Sequence, residues 1–156
     1  SNIEWNKVNK IEFADASKRL PFNDLSLDCI YSSHMLEHLS FHTAKIFIAE
    51  SLRVLKKDGI LRLAVPDLRV AIDEYIKNED ADSFIKGLHV TSPPIKTLKQ
   101  KISLLLNGYR HHQWMYDGKS LSSLLKKSGF ENPTRSCEHF HFPLNDMLLR
   151  KIKKSL

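Results

Sequence analysis

Glycine is scarce in this chain and unevenly placed. The 156 residues hold five, Gly59, Gly87, Gly108, Gly118 and Gly129, and none precedes residue 59. A glycine-rich turn, whose backbone closes on a ligand because no Cβ intervenes, is therefore excluded from the stretch before Gly59. Cysteine is scarcer still, with only Cys29 and Cys137. Two free thiols in a reducing cytoplasm are the default expectation, ahead of a disulfide. No apolar run approaches the roughly 20 residues that cross a bilayer, and no signal-peptide pattern opens the chain. Internal repeats and low-complexity segments are absent too. The first residue is Ser1 rather than Met, so the chain is expected to be processed or cut from something longer.

The composition is that of an ordinary globular chain, 42% hydrophobic and 27% charged. At this length one domain over residues 1–156 is expected, with a core of its own. Charge is distributed unevenly. Residues 1–80 carry 11 Lys and Arg against 13 Asp and Glu, a balance of −2, while residues 81–156 carry 13 against 5, a balance of +8. Arg150, Lys151, Lys153 and Lys154 lie beside Leu148, Ile152 and Leu156 at helical spacing. That pattern predicts a terminal docking helix with a basic outer face, and it argues against a nucleic-acid arm.

The organising stretch runs from Leu27 to Leu39. Leu27, Cys29, Ile30 and Tyr31 form a short apolar run, the signature of a buried parallel strand, and Ser32 and Ser33 stop it. His34, Leu36, Glu37 and His38 then open a segment with helical spacing. Ligands of open α/β sheets bind outside the carboxyl ends of the strands, which places the functional centre at Ser32, Ser33 and His34. The same stretch satisfies H-x-x-E-H through His34, Glu37 and His38, an inverted zinc-hydrolase pattern that His42 extends along the face. Two histidines do not close a metal site, and no third ligand is identifiable downstream. Histidines packed at the base of a cleft are the preferred reading, so no metal is assigned.

In chain order, Ile11 to Ala14 reads as a strand ending at Asp15, followed by a loop through Leu20-Pro21-Phe22. Ser40 is a plausible N-cap for a helix to Leu55, with Ala44, Phe47, Ile48, Leu52 and Leu55 on one face. Lys56 and Lys57 fit its last turn and Gly59 its stop. Ile60 to Val65, closed by Pro66, is a second buried strand. Strand, helix and strand of these lengths predict a right-handed crossover with Leu27–Tyr31 and Ile60–Val65 as parallel neighbours. Asp67 to Lys77 reads as a helix, and a second helix across Leu98, Ile102, Leu105 and Leu106 follows Pro93-Pro94. A helical insertion over about 67–110 of this kind suits a lid or binding segment. Asp117 caps a further helix through Leu121, Leu124 and Leu125, ended by Gly129-Phe130. Arg135 to Phe142 alternates as an antiparallel edge strand.

Several of these motifs, in this order, resemble a known family. Ala14-Asp15-Ala16, Leu20-Pro21-Phe22, Leu27-Asp28, Tyr31-Ser-Ser-His-Met-Leu-Glu-His-Leu39, Leu52-Arg-Val-Leu-Lys-Lys-Asp-Gly-Ile-Leu-Arg62 and Trp114-Met-Tyr-Asp117 are similar to class I S-adenosylmethionine-dependent methyltransferases, and within them to the small bacterial type-11-like group. The resemblance covers roughly residues 11–131. It implies a Rossmann-like α/β fold, a mostly parallel sheet with flanking helices, incomplete at the N-terminus. It implies S-adenosylmethionine as cofactor, with Asp15 at the adenine amino group, Ala16 leaving room for the ring, and Ser32, Ser33 and His34 at the methionine end. His34 is the implied candidate base, while His111, His112 and Tyr116 border a small-molecule or sugar-linked substrate. The location implied is cytoplasmic, with no membrane contact.

One departure from the family pattern is plain. Its first strand and glycine-rich turn, and the ribose-binding carboxylate of its second strand, have no counterpart here. Either the chain is a fragment, or the N-terminal stretch or a second copy, making a homodimer, fills the gap beside Leu27–Tyr31. Cofactor binding by this chain alone is expected to be weak. Two further classes stay open, a non-catalytic binding module of the same fold and the zinc hydrolase.

Overall fold

A computed structural model of the chain describes residues 14–91, 97, 111–136, 146–150 and 153–154. At its centre, strand β1 (Leu27–Ser33) pairs in parallel with the longer β2 (Leu55–Pro66). Ile30 lies opposite Leu61, Ser32 opposite Leu63 and Ser33 opposite Ala64. Helix α1 (Phe41–Val54) makes the crossover, so the expected parallel pair and its connection are both present. Ser40 is the N-cap as expected, its hydroxyl accepting from the Thr43 N–H at 3.2 Å. Ala44, Phe47, Ile48 and Val54 face the sheet and are buried. They meet Leu61, Leu63 and Val65, the inward residues of β2, together with Leu121, Leu124 and Leu125 of helix α4 described below. Burying each such side chain contributes about 1.5–3 kcal/mol.

Beyond β2 lie α2 (Leu68–Asn78), capped by Asp67, and α3 (Ala81–Gly87), capped by Asp80. Residues Gly118–Lys127 form α4, on a capping box of Asp117 and Ser120. Two short strands, β3 (Phe130–Glu131) and β4 (Thr134–Ser136), follow, then β5 (Asp146–Arg150) and β6 (Lys153–Lys154). The main sheet has the order β1-β2-β5-β4, and β3 pairs with β6. Among the described residues, β1 is an outer strand of the main sheet. Cys29 and Tyr31 are exposed on the face away from α1.

Two expectations are corrected, and one helix carried no expectation. Asp146–Arg150 and Lys153–Lys154 are strand, not part of a basic docking helix: β5 runs antiparallel to β2, with Leu149 opposite Leu63 and Met147 opposite Val65. Helical spacing over nine residues is a weak signal, and the outer edge of β2 offers a row of backbone groups that must be paired. Lys56, Lys57 and Gly59 do not end α1, because Leu55 is already extended and buried as the first residue of β2. Gly59 serves the irregular start of that strand, where a Cβ would stand 3.0 Å from the Lys56 carbonyl oxygen and from Leu55 Cδ2. Helix α3, within the expected insertion, carried no clear sequence signal because none of its residues is buried. The expected strand at 11–13, the helix across 98–106 and the edge strand over 137–142 lie outside the described residues.

Arg53 anchors the loop before β1 to α1. Its guanidinium donates to Glu50 Oε2 at 2.7 Å, Asp24 Oδ1 at 2.6 Å and the carbonyls of Leu20 and Phe22 at 3.1 and 3.0 Å. The Arg53 bond first, and then the Leu20 N–H that donates to Glu50 Oε2 at 2.9 Å, hold the Glu50 carboxyl down at about 2 against an ordinary 4.5. Replacing Arg53 by Ala is expected to destabilise the fold at neutral pH, since hydrogen bonds to charged groups are lost. A depressed carboxylate stabilises the fold above its unfolded value, and that stability disappears as pH falls from 4.5 to about 2. Urea unfolding at pH 7 and pH 3 should therefore show a steeper acid loss in the parent than in Arg53→Ala.

Candidate functional site

Both parallel strands end at the same edge, and the chain turns sharply there. The His34 N–H donates to the Ala64 carbonyl at 3.0 Å, continuing the ladder one residue past Ser33. His34 then takes φ of 49°, a left-handed conformation that costs a side-chain-bearing residue about 1–2 kcal/mol. Its side chain points to the surface, 42% exposed. The following turn is a short 3₁₀ turn at Leu36–His38, not the α-helix expected from the spacing. Leu36 is fully buried in the core, and its neighbour Glu37 goes in with it at 1% exposure.

A second segment closes over this turn. The Gln113 and Trp114 N–H groups donate to the Glu37 carbonyl at 2.8 and 3.2 Å, and Gln113 Nε2 donates to the His38 carbonyl at 2.6 Å. Tyr116 bridges to Asp67 at the carboxyl end of β2, and Trp114 lies against Phe41 with ring centroids 4.7 Å apart. His112 is thereby buried, its ring 5.0 Å from that of His38 and 5.4 Å from that of His89.

The enclosed groups are polar and poorly satisfied. Neither carboxylate oxygen of Glu37 accepts an aligned hydrogen bond, although His34 Nδ1 stands at ion-pair range, 3.3 Å from Oε1. Burial pushes the Glu37 carboxyl up from its ordinary value. It also pushes His112 down, helped by the charge of His38. The buried Tyr116 hydroxyl, likewise without a partner, is pushed up to about 12 by desolvation and by Glu37.

A cavity of about 350 Å³ lies along β1, lined by Leu20, Phe22, Ile30, Phe47, Ser32 and Ser33 among others. Ser32 and Ser33 thus share one concavity, whereas Asp15 and His34 are not in its lining. Asp15 is in the turn before the loop, where its Oδ1 accepts from the Ser17 N–H and hydroxyl at 2.9 and 2.6 Å and its Oδ2 pairs with Lys18 Nζ at 3.1 Å. The Ser17 bonds come first in holding its carboxyl at about 2. Ala16 follows it, half-buried against the core. His111 contributes its carbonyl to His38, and His112 and Tyr116 are buried beneath the surface. Histidine packing at the base of a cleft, the reading the sequence favours for this pattern, fits His38, and the further imidazole packed against it is His112, from the adjacent pair His111 and His112 far along the chain.

Residues 2–63 match the family described as a methyltransferase domain. No curated protein matches the chain. Among solved structures, an S-adenosylmethionine-dependent methyltransferase from Methanosarcina mazei is 18% identical with a TM-score of 0.59, covering 92% of this chain and 66% of its own. A protein from Pyrococcus horikoshii is 21% identical with a TM-score of 0.58, covering 97% of this chain and 65% of its own. An S-adenosylmethionine-dependent methyltransferase from Thermotoga maritima is 18% identical with a TM-score of 0.54, covering 90% of this chain and 62% of its own. The chain has the class I methyltransferase fold. It spans less than two thirds of each of these solved proteins.

S-adenosylmethionine is the cofactor on which the Methanosarcina and Thermotoga proteins depend. The described residues fit it in part. The cavity offers apolar walls and two serine hydroxyls, and Asp15 offers a carboxylate that stays ionised. No glycine precedes Gly59 to let backbone close on the ligand.

Removing the buried hydroxyl in Tyr116→Phe is expected to change stability by less than about 1 kcal/mol, because no hydrogen bond is lost. Glu37→Gln should raise stability at neutral pH in chelator. The raised carboxyl of Glu37 stabilises the fold below its ordinary value, and this is lost as pH rises through the folded value. His34 and His38 face it and temper the effect. Thermal melts between pH 5 and 8 should show a shallower alkaline loss in Glu37→Gln than in the parent.

Proposed function

We propose that this chain is the part of an S-adenosylmethionine-dependent methyltransferase that carries the adenine carboxylate and the acceptor mouth, acting on a small or sugar-linked molecule. The observation that carries this reading is the parallel β1–β2 pair, whose carboxyl edge delivers Ser32 and Ser33 to the cavity and His34 to the surface beside it.

When bound, the cofactor supplies a methyl group on a sulfonium. The protein's part is to hold the acceptor in line and to take a proton from it. His34 is the proposed base. Its imidazole is accessible, and Glu37 Oε1 at 3.3 Å from Nδ1 orients the ring. Asp15 is proposed to accept from the adenine amino group through Oδ2, in exchange for Lys18. His111, His112 and Tyr116 are proposed to shape the acceptor side from below. Residues 67–110 are proposed as an insertion over that side.

A second reading, a non-catalytic binding module, is favoured by the absence of glycine before Gly59. Hydrogen bonds to charged groups contribute about 1.5–3 kcal/mol each, so lacking two weakens binding about a hundredfold or more. Calorimetry on the chain as given is expected to find S-adenosylmethionine bound more weakly than micromolar; a tighter value would show that another part of the chain replaces the glycine turn. Labelled methyl transfer at millimolar cofactor should fall about a hundredfold or more in His34→Gln at unchanged KM. Bound cofactor with no transferred label would establish the binding module instead.

A further inference from the structure

The buried cluster behind the edge offers more ligating atoms than the positioning of His34 and of the acceptor accounts for. Glu37 is 1% exposed and neither of its carboxylate oxygens accepts an aligned hydrogen bond, with His34 Nδ1 3.3 Å from Oε1 and nothing facing Oε2 at hydrogen-bond range; His112 is 8% exposed with Nδ1 unsatisfied. An ionised carboxylate held in this way is costly unless a cation meets it. The ligating atoms of Glu37, His38 and His112 all lie within 4.8 Å of one another.

The His38 imidazole is oriented as a metal ligand is. His38 Nδ1 stands 3.3 Å from the His111 carbonyl, and a carbonyl only accepts, so Nδ1 carries the proton and Nε2 the lone pair. Backbone carbonyls fixing the second nitrogen are the usual outer support of histidine ligands. His112 is held by its own backbone N–H, which donates to the His89 carbonyl at 2.9 Å, and its ring Nδ1 is buried without a partner.

We propose that Glu37, His38 and His112 bind a divalent transition-metal ion of the zinc class, with water at the fourth position. Two imidazoles and one carboxylate are the donor set of a zinc site that keeps one position open. At ordinary zinc bond lengths the donors stand about 3.3 Å apart, so binding draws them together by about 1.5 Å at most. This is not the H-x-x-E-H arrangement of the sequence. His34, turned outward at 42% exposure, is replaced by His112 from beyond the insertion. The ion ties the turn after β1 to the segment before α4, and so fixes the position of His34 at the mouth. The proposal does not rest on the methyltransferase reading.

Titrating the chelator-stripped chain with zinc chloride is expected to load one ion per chain at micromolar or tighter affinity, with a rise in melting temperature. Glu37→Gln and His112→Gln should each weaken binding a hundredfold or more, while the exposed His42→Gln binds as the parent does. X-ray absorption of the zinc-loaded parent should show two imidazoles at about 2.0–2.1 Å, which decides the matter if a variant fails to fold. Parent affinity weaker than millimolar, equal losses in His42→Gln and His112→Gln, or a spectrum without imidazole scattering would overturn the proposal.

Discussion

The parallel pairing of β1 with β2 is the constraint on which the rest of the molecule depends. Parallel neighbours cannot be joined by a tight turn, so the chain must cross over, and α1 is laid across one face by that necessity. The same pairing sends both strands to one edge, where Ser33 lies opposite Ala64 and His34 bonds to it. Every candidate functional group after residue 30 is placed by that edge. Tyr116 is brought there by its bridge to Asp67, one residue past β2.

A cost accompanies this arrangement. Leu36 fills the core beside the strand ends, and a tight 3₁₀ turn carries Glu37 and His38 inward with it. The result is a carboxylate, a phenol and imidazoles packed at the base of the site with few hydrogen bonds between them. Folding tolerates such groups when backbone bonds lock them in place, and Gln113 and Trp114 supply those bonds to the turn. The strained backbone of His34 belongs to the same economy, held by the Ala64 ladder bond on one side and the turn on the other. On the opposite face of the sheet, Cys29 and Tyr31 remain exposed along β1.

The local elements were readable from residues because each rests on nearby chemistry. Ser40, Asp67 and Asp117 cap the helices they precede, through oxygens that reach N–H groups two or three residues on. The apolar runs of β1 and β2 and the face of α1 follow the periods of strand and helix, so their pairing could be inferred without coordinates. Errors fell where a residue's role is set by distant backbone. Leu148 and Leu149 match a helix as well as a strand, and the open edge of β2 decided between them. Lys56 to Gly59 carry a helix-stop signal that the burial of Leu55 overrode.

By itself the sequence determined the crossover, the caps, the carboxyl-edge position of Ser32, Ser33 and His34, and the lack of a glycine turn before Gly59, since each follows from residues adjacent along the chain. Only the tertiary structure decided which groups meet there. It separated Asp15 from the cavity lining, turned His34 outward, and set His112 against His38, 74 positions earlier in the sequence. No local pattern encodes that meeting, because it depends on hydrogen bonds from residues 113 and 114 to the carbonyl of residue 37. Those bonds exist only once the sheet has brought the two segments to the same edge.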